Sequence, residues 1–508
     1  MASAQNLPRY SLIINGEVCE PAGGEYEPVI DPATGNNIAQ VAVGSEADLN
    51  QAVAAAKTAF ENPEWRDMEP EERARVLYKC ARLLKVHALE LLGLEMSASG
   101  GTFNRIARMD LPAAIDMFRV LAEEVKTFPF VESMPPRSVP ENVHTQIWKE
   151  PIGVCGLITP WNFPLLLLAM KLTPALAAGN TIVIKPAEIT PTSTIRLVEI
   201  LQQALPKGVL NVVPGHGPVV GEAMSLHKDI DKISFTGSTN VGKQIQVNAA
   251  ASLKRVTLEL GGKAPAIVMP DADLDLMAHG ALWGVFMNSG QACESGTRLL
   301  VHESIYEQTL DKLKAVSEKI VVGNPADPAT GMGPMSSESH FNKVMGFIDS
   351  AKADGARIVC GGEREMVEGC EGGFFVQPTV VADVTNDMKV AREEIFGPVL
   401  AVIKYSTTEE AINIANDTDY GLSAGLWTDD LIKAQKIARE LRAGSVWIND
   451  WHMMRTDTPF GGFKQSGYGR EFGRASLEAY VETKAVATAF QRLPEKKSLH
   501  KIVHTTLA

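Results

Sequence analysis

From Gly153 onward, short β-branched apolar runs alternate with stretches whose apolar residues recur at helical spacing. GVCGLIT precedes LLLLAMKLTPALA, TIVIK precedes PTSTIRLVEILQQAL, and LNVV and KISF precede NVGKQIQVNAAA. That order predicts βαβ units, and so a parallel sheet with crossover helices. Upstream, Leu49, Val53, Ala56 and Phe60 fall on one face of a predicted helix, with Ser45 and Asp48 placed to cap it. Glu71 to Ser97 predicts a second, longer helix. The alternation restarts after Gly261-Gly262 with APAIV, a helix from Asp273, RLLVH, a helix from Ser304, FVQPTVV, PVLAVIKY, LSAGLWT and GSVWIN, so a second α/β unit follows the first. Two segments, Val143 to Ile147 and Tyr480 to Val486, alternate with period two and have no crossover helix beside them. Such ribbons pair either with another subunit or as a small hairpin on their own chain, because two isolated strands are marginal.

Composition narrows the class without naming a function. At about 150 residues per domain, 508 residues suggest roughly three units. Charged residues make up 21% and hydrophobic ones 45%, the balance of a globular chain. A net charge of −13 argues against a nucleic-acid binder, whose phosphate contacts are made mainly by Lys and Arg. Cys19, Cys80, Cys155, Cys293, Cys360 and Cys370 form no CxxC pair and no zinc-spaced cluster, so no metal site is expected. Free thiols fit a reducing compartment. The most apolar stretch, Gly153 to Met170, is interrupted by Pro160, Asn162 and Pro164, and no signal-like segment opens the chain. The expectation is a cytoplasmic protein without a membrane partner, with a polar, basic and mobile tail after Pro494.

Three polar residues sit in glycine-rich or apolar surroundings: Asn162 in TPWNFP, Glu259 in LELGGKAP and Cys293 in NSGQACESG. Alone, each has an ordinary explanation: a turn former, a solvated charge, a small buried hydrophobe. Gly237 to Lys243 superficially fits the GxxxxGK phosphate loop, but Gln244 stands where the magnesium-binding Ser or Thr belongs, which excludes an ATPase. Glycines between a strand and a helix still suit a dinucleotide phosphate at a helix N-terminus.

Taken in order, TPWNFP (159–164), KPAEITP (185–191), FTGSTNVGK (235–243), LELGGKAP (258–265), GQACESG (290–296), EEIFGPV (393–399) and PFGGFKQSGYGRE (459–471) resemble the NAD(P)-dependent aldehyde dehydrogenase superfamily. The match runs from near the N-terminus to about residue 490. The resemblance implies an α/β fold with a Rossmann-like cofactor domain over 1–128 and 152–262. A catalytic α/β domain would cover 263–470, and a small β oligomerisation element with the tail would cover 129–151 and 471–508. A homodimer or homotetramer is the expected assembly. The segment 97–110 lacks the family's common Gly-Lys-Pro, and WHMMRTD (451–457) carries no pattern tied to one substrate.

The family's chemistry explains the residue types. An aldehyde gives up hydride readily only after a nucleophile has added to its carbonyl, and the resemblance assigns that role to Cys293. Asn162 and the Cys293 backbone N–H would form the oxyanion hole, where one lost donor typically costs about 2.7–4 kcal/mol. Glu259 would activate the water that hydrolyses the thioester, favouring a free acid over transfer to coenzyme A. For the cofactor, Lys185 and Glu188 match the adenosine ribose pair. Thr159, Pro160, Trp161, Phe235, Gly237, Ser238 and Gly242 surround the dinucleotide, and Glu394 and Phe396 position the nicotinamide end. A glutamate at the ribose repels a 2′-phosphate, so NAD is expected over NADP. Leu167, Met170, Met287, Trp451, Met453, Met454 and Phe460 are expected to line or approach the aldehyde entrance. That set predicts an apolar aromatic or medium-chain aldehyde. Arg455 leaves a semialdehyde open if it points inward, and betaine-type substrates, acylating oxidation and a non-catalytic relative are the alternatives.

Overall fold

The computed structural model describes residues 7–137 and 143–505. Its largest sheet has eight strands, in the order Gly467–Tyr468, Arg255–Glu259, Lys232–Thr236, Val154–Ile158, Thr181–Lys185, Leu210–Val212, Leu12–Ile14 and Glu17–Cys19. The five strands from Arg255–Glu259 to Leu210–Val212 are parallel. Antiparallel strands close both edges. Val154–Ile158 comes first in the chain among these five and lies in the middle of them, so the crossovers leave it in opposite directions. Ligands of open α/β sheets bind at such a switch point, beyond the carboxyl ends of the strands. Thr159, Gly237 and Glu259 stand at those ends.

The helix Pro164–Ala178 is buried along its whole length, as a helix apolar on every side must be, and ends at Gly179 in the left-handed conformation (φ 91°). Glu61 ends the expected first helix, which begins at Glu46 behind a full Ser45/Asp48 capping box. The expected single helix over Glu71 to Ser97 is two, Pro70–Val86 and Ala88–Ser99, broken at His87 (φ −96°, ψ 13°). Buried Leu77, Cys80, Ala81, Leu84, Leu91 and Glu95 keep one helical spacing through the break, which carries neither Gly nor Pro, so periodicity could not reveal it.

The second unit holds a seven-stranded sheet, ordered Arg357–Cys360, Thr379–Ala382, Val399–Tyr405, Arg298–His302, Pro265–Val268, Ser423–Trp427 and Ser445–Ile448, all parallel except the first. Gly467–Tyr468, from the stretch expected in the catalytic unit, instead extends the cofactor sheet at its edge. The two period-two segments pair with each other, Val143–Pro151 against Val481–Ala489, and Val131–Ser133 adds a third strand. This sheet leaves its two outer strands largely exposed. Beyond Pro494 the chain forms short 3-10 turns at 494–496 and 498–502. Among the described residues, no helix is long and apolar enough to cross a membrane.

Candidate active site

Cys293 lies just beyond a strained turn. Asn288 (φ 51°), Ser289 (φ 56°) and Gly290 (φ 77°) are left-handed in succession. At Gly290 a Cβ would stand 2.1 Å from the Gly397 carbonyl oxygen, so only glycine fits. Gly262 is required for a similar reason, since a Cβ there would meet the Cys293 carbonyl oxygen at 2.1 Å. Strain of this kind persists only where surrounding structure holds it, and it gathers at functional sites. The Asn162 amide donates to the Gln291 carbonyl at 2.8 Å, and its own backbone carbonyl accepts from Asn288 at 2.9 Å. A side-chain amide has two N–H groups, so one remains for a ligand. Arg105 bonds the Asn288 side chain and pairs with buried Asp110 at 3.0 Å, bracing the turn from behind.

Two cavities share the wall formed by Pro160, Trp161, Thr236, Gly237 and Ser238. The larger, ≈ 620 Å³, is lined by Thr159, Lys185, Glu188 and Phe235 and by residues of the helix Thr239–Ala250. Ser238 caps that helix, and Gly242 lets it approach Leu260, whose Cδ2 would lie 2.5 Å from a Cβ. Glu188 accepts from Lys185 at 3.1 Å and from the Gly217 amide at 2.6 Å. Burial opposes its charge, yet these partners hold its carboxyl below the usual range. The smaller cavity, ≈ 260 Å³, is lined by Asn162, Cys293, Glu394 and Phe396. Glu394 accepts from the Gly262 amide at 2.8 Å, and Phe396 is left-handed (φ 63°) with its ring edge-on to Trp161. Thr159 and Thr236, whose buried hydroxyls have no hydrogen-bond partner, line these cavities. An apolar slot with a carboxylate at one end, a helix N-terminus and spare hydroxyls along it fits an adenine dinucleotide.

Glu259 is not on that wall. Its carboxyl turns toward Gly461, where a Cβ would meet Oε1 at 2.8 Å, and neither oxygen has a hydrogen-bond partner. Burial, reinforced by the charge of Glu471, raises it well above the ordinary carboxylate range, and the Lys171 that pairs with Glu471 offsets this only in part. Burial and the neighbouring charge of Glu294 likewise raise the Cys293 thiol well above its ordinary range.

The sequence pattern of the aldehyde dehydrogenase family matches residues 19–486. The chain belongs to the aldehyde dehydrogenase family. Aldehyde dehydrogenase 1A1 of Mesocricetus auratus is 44% identical over 481 residues, 94% of each chain. An aldehyde dehydrogenase of Bacillus cereus solved as its NAD+ complex is 41% identical, with a TM-score of 0.92 over 95% of this chain and 97% of that one. A betaine aldehyde dehydrogenase of Staphylococcus aureus, also solved with NAD+, is 39% identical with a TM-score of 0.92, covering 96% and 99%. This chain is therefore an oxidoreductase of the aldehyde dehydrogenase fold.

Around Cys293 of this aldehyde dehydrogenase, Leu167, Met170, Met287 and Phe460 are buried in one apolar cluster, against which Cys293 and Met454 pack. Met454 also lines an open cavity of ≈ 760 Å³ with Met109 and Ile115. Of the two remaining expected entrance residues, Met453 is 48% exposed. Trp451 is packed between Trp427 and Trp447 in the core, because Gly284, Gly296 and Gly425 leave room for its indole. Arg455 forms a two-pronged pair with Asp457 and its side chain is 75% exposed, so its place says nothing about the substrate. Sequence reasoning missed His340 and Lys343, which line the smaller cavity. Burial lowers His340 to about 4, so it is neutral and bonds the Phe396 carbonyl. A histidine on an ordinary surface-type helix carries no sequence signal of this role.

Proposed function

We propose that this enzyme oxidises an aldehyde to the carboxylic acid with NAD in preference to NADP, through a thiohemiacetal and then a thioester on Cys293. The observation that carries this reading is the meeting of Cys293 and Asn162 with Glu394 and Phe396 around the smaller cavity, which shares a wall with the larger. Lys185, Glu188, Ser238, Glu394 and Phe396 would hold the dinucleotide, which when bound supplies the hydride acceptor. Cys293 adds to the carbonyl, and the free N–H of Asn162 with the Cys293 backbone N–H receives the oxyanion. Glu259 then serves as base for the hydrolytic water once its side chain swings from Gly461 toward the sulfur. An available carboxylate favours water over coenzyme A as acyl acceptor.

The apolar cluster at Cys293 supports an aromatic or medium-chain aliphatic substrate. A second reading is favoured by the ≈ 760 Å³ cavity, where Lys85, Arg108 and Arg119 lack ion-pair partners among the described residues and only Asp116 and the paired Asp457 oppose them. A cationic mouth suits an aldehyde carrying a carboxylate and repels betaine aldehyde. Comparing kcat/KM for benzaldehyde, hexanal, succinate semialdehyde and betaine aldehyde, with NAD and NADP in parallel, tests both. A tenfold preference for either charged compound would refute the apolar reading. We further infer a division at 1–128 with 152–262, 263–470, and 129–151 with 471–508, the second unit lending the strand Gly467–Tyr468 to the first unit's sheet. The exposed three-stranded sheet is the proposed homo-oligomer contact, and the six free cysteines suit the cytoplasm.

A further inference from the structure

Three carboxylates approach Cys293, and they do different things. Glu394 is held by the Gly262 amide, and Glu259 faces Gly461. Only Glu294 touches the sulfur: the thiol donates to its Oε2 at 3.2 Å. Its other oxygen, Oε1, lies 3.1 Å from Nδ1 of His452. The pair is shut away from water, with side chains 1% (His452) and 6% (Glu294) exposed.

The surrounding structure fixes this pair. The Glu294 carbonyl accepts from Ser423 at 2.9 Å and from the Trp451 indole at 3.0 Å. His452 is left-handed (φ 55°), a conformation uncommon outside glycine, and its ring stands 5.3 Å edge-on to Trp283 and 6.2 Å from Trp447. Neither ring nitrogen has a hydrogen-bond partner. A strained backbone that presents a buried imidazole to the carboxylate beside a nucleophile is the pattern of a functional group, not of packing.

Resting on the reading of Cys293 as the nucleophile, we propose that Glu294, oriented by His452, is a second catalytic carboxylate that takes the Cys293 thiol proton as the sulfur attacks the aldehyde. In that step the S–H bond breaks and its proton passes to Oε2. The Sγ–C bond forms, and the carbonyl π pair moves onto oxygen beside Asn162. Glu259 is thereby left for the later water. Electrostatics agree with the geometry. Burial and the charge of Glu294 disfavour a standing thiolate, so the proton leaves during attack. Burial also opposes the Glu294 charge, but His452 outweighs it and keeps that carboxyl below its usual range.

The test is the second-order rate at which iodoacetamide alkylates Cys293 at pH 7, mapped by mass spectrometry. Glu294→Gln is expected to slow it by about 10²-fold, the low end for general-base assistance. Glu294→Asp should retain it within about tenfold, and His452→Asn, which folds around an intact carboxylate, should slow it by an intermediate factor. If Glu294 acts only as an opposing charge, Glu294→Gln accelerates alkylation, and that result, or an unchanged rate in both Glu294→Gln and His452→Asn, overturns the proposal. Normal NADH formation by Cys293→Ala would instead overturn the underlying reading of the nucleophile, so the two failures are distinguishable.

Discussion

At the scale of single residues, the site separates groups by environment as much as by identity. Glu259 and Glu294 are both buried carboxyls near one sulfur, yet burial, reinforced by Glu471, raises the first while His452 outweighs burial and holds the second below its usual range. Carboxylates pushed apart in this way commonly divide acid and base duties. Replacing Asn162 by Ala is expected to lower kcat by about 10²–10³ while leaving cofactor affinity in place, as measured by steady-state kinetics and by quenching of tryptophan fluorescence on NAD titration. An effect confined to KM would show that the amide merely shapes the pocket. Asn162, Glu259 and Cys293 were legible because each stands in a motif whose order along the chain is itself informative. Glu294 and His452 were not, since their partnership joins distant stretches of sequence and depends on a left-handed residue that no local pattern encodes.

At the scale of elements, two helix termini carry testable weight. Glu95, from the helix Ala88–Ser99, accepts from the Leu165 amide at 3.1 Å and so caps the buried helix Pro164–Ala178, while also bonding Ser193. Burial pushes this carboxyl up to about 7, with the Ser193 hydrogen bond opposing the rise. Because the folded value lies above the unfolded one, the protonated form stabilises the fold fully below about pH 4.5. That contribution, of order 3 kcal/mol, fades as pH rises through about 7. Thermal midpoints measured from pH 5 to 8 should fall in the wild type by a component that Glu95→Gln lacks; parallel curves would contradict this. In the loop after Thr181–Lys185, Glu188→Ser should raise kcat/KM for NADP relative to NAD by about tenfold or more, since a charge facing the ribose is removed. Strands and crossover helices were legible from periodicity because each buries a regular stripe. The break at His87 was not, since the apolar spacing runs straight through it. The place of Gly467–Tyr468 in the cofactor sheet escaped for another reason: two residues make no pattern.

At the scale of the molecule, the parallel strands aim their carboxyl ends at one crevice, and the three-stranded sheet stands apart with exposed edges. Open edges of this kind are hazards unless paired or covered, and pairing with a second copy removes them. Light scattering is expected to give two or four times the 54.8 kDa chain mass, and Ala487→Glu, on the exposed strand Val481–Ala489, should move it toward one. The overall architecture was legible because βαβ order and the motif series agree. Substrate identity was less so: Trp451, packed between Trp427 and Trp447, is a bulky apolar letter whose place in the core no local pattern encodes. The most direct test of the whole account is to mix Glu259→Gln enzyme with NAD and benzaldehyde or hexanal and weigh the protein. One equivalent of NADH with one acyl group retained on Cys293 is the predicted result, and NADH without an acyl adduct, or an adduct on another residue, would contradict it.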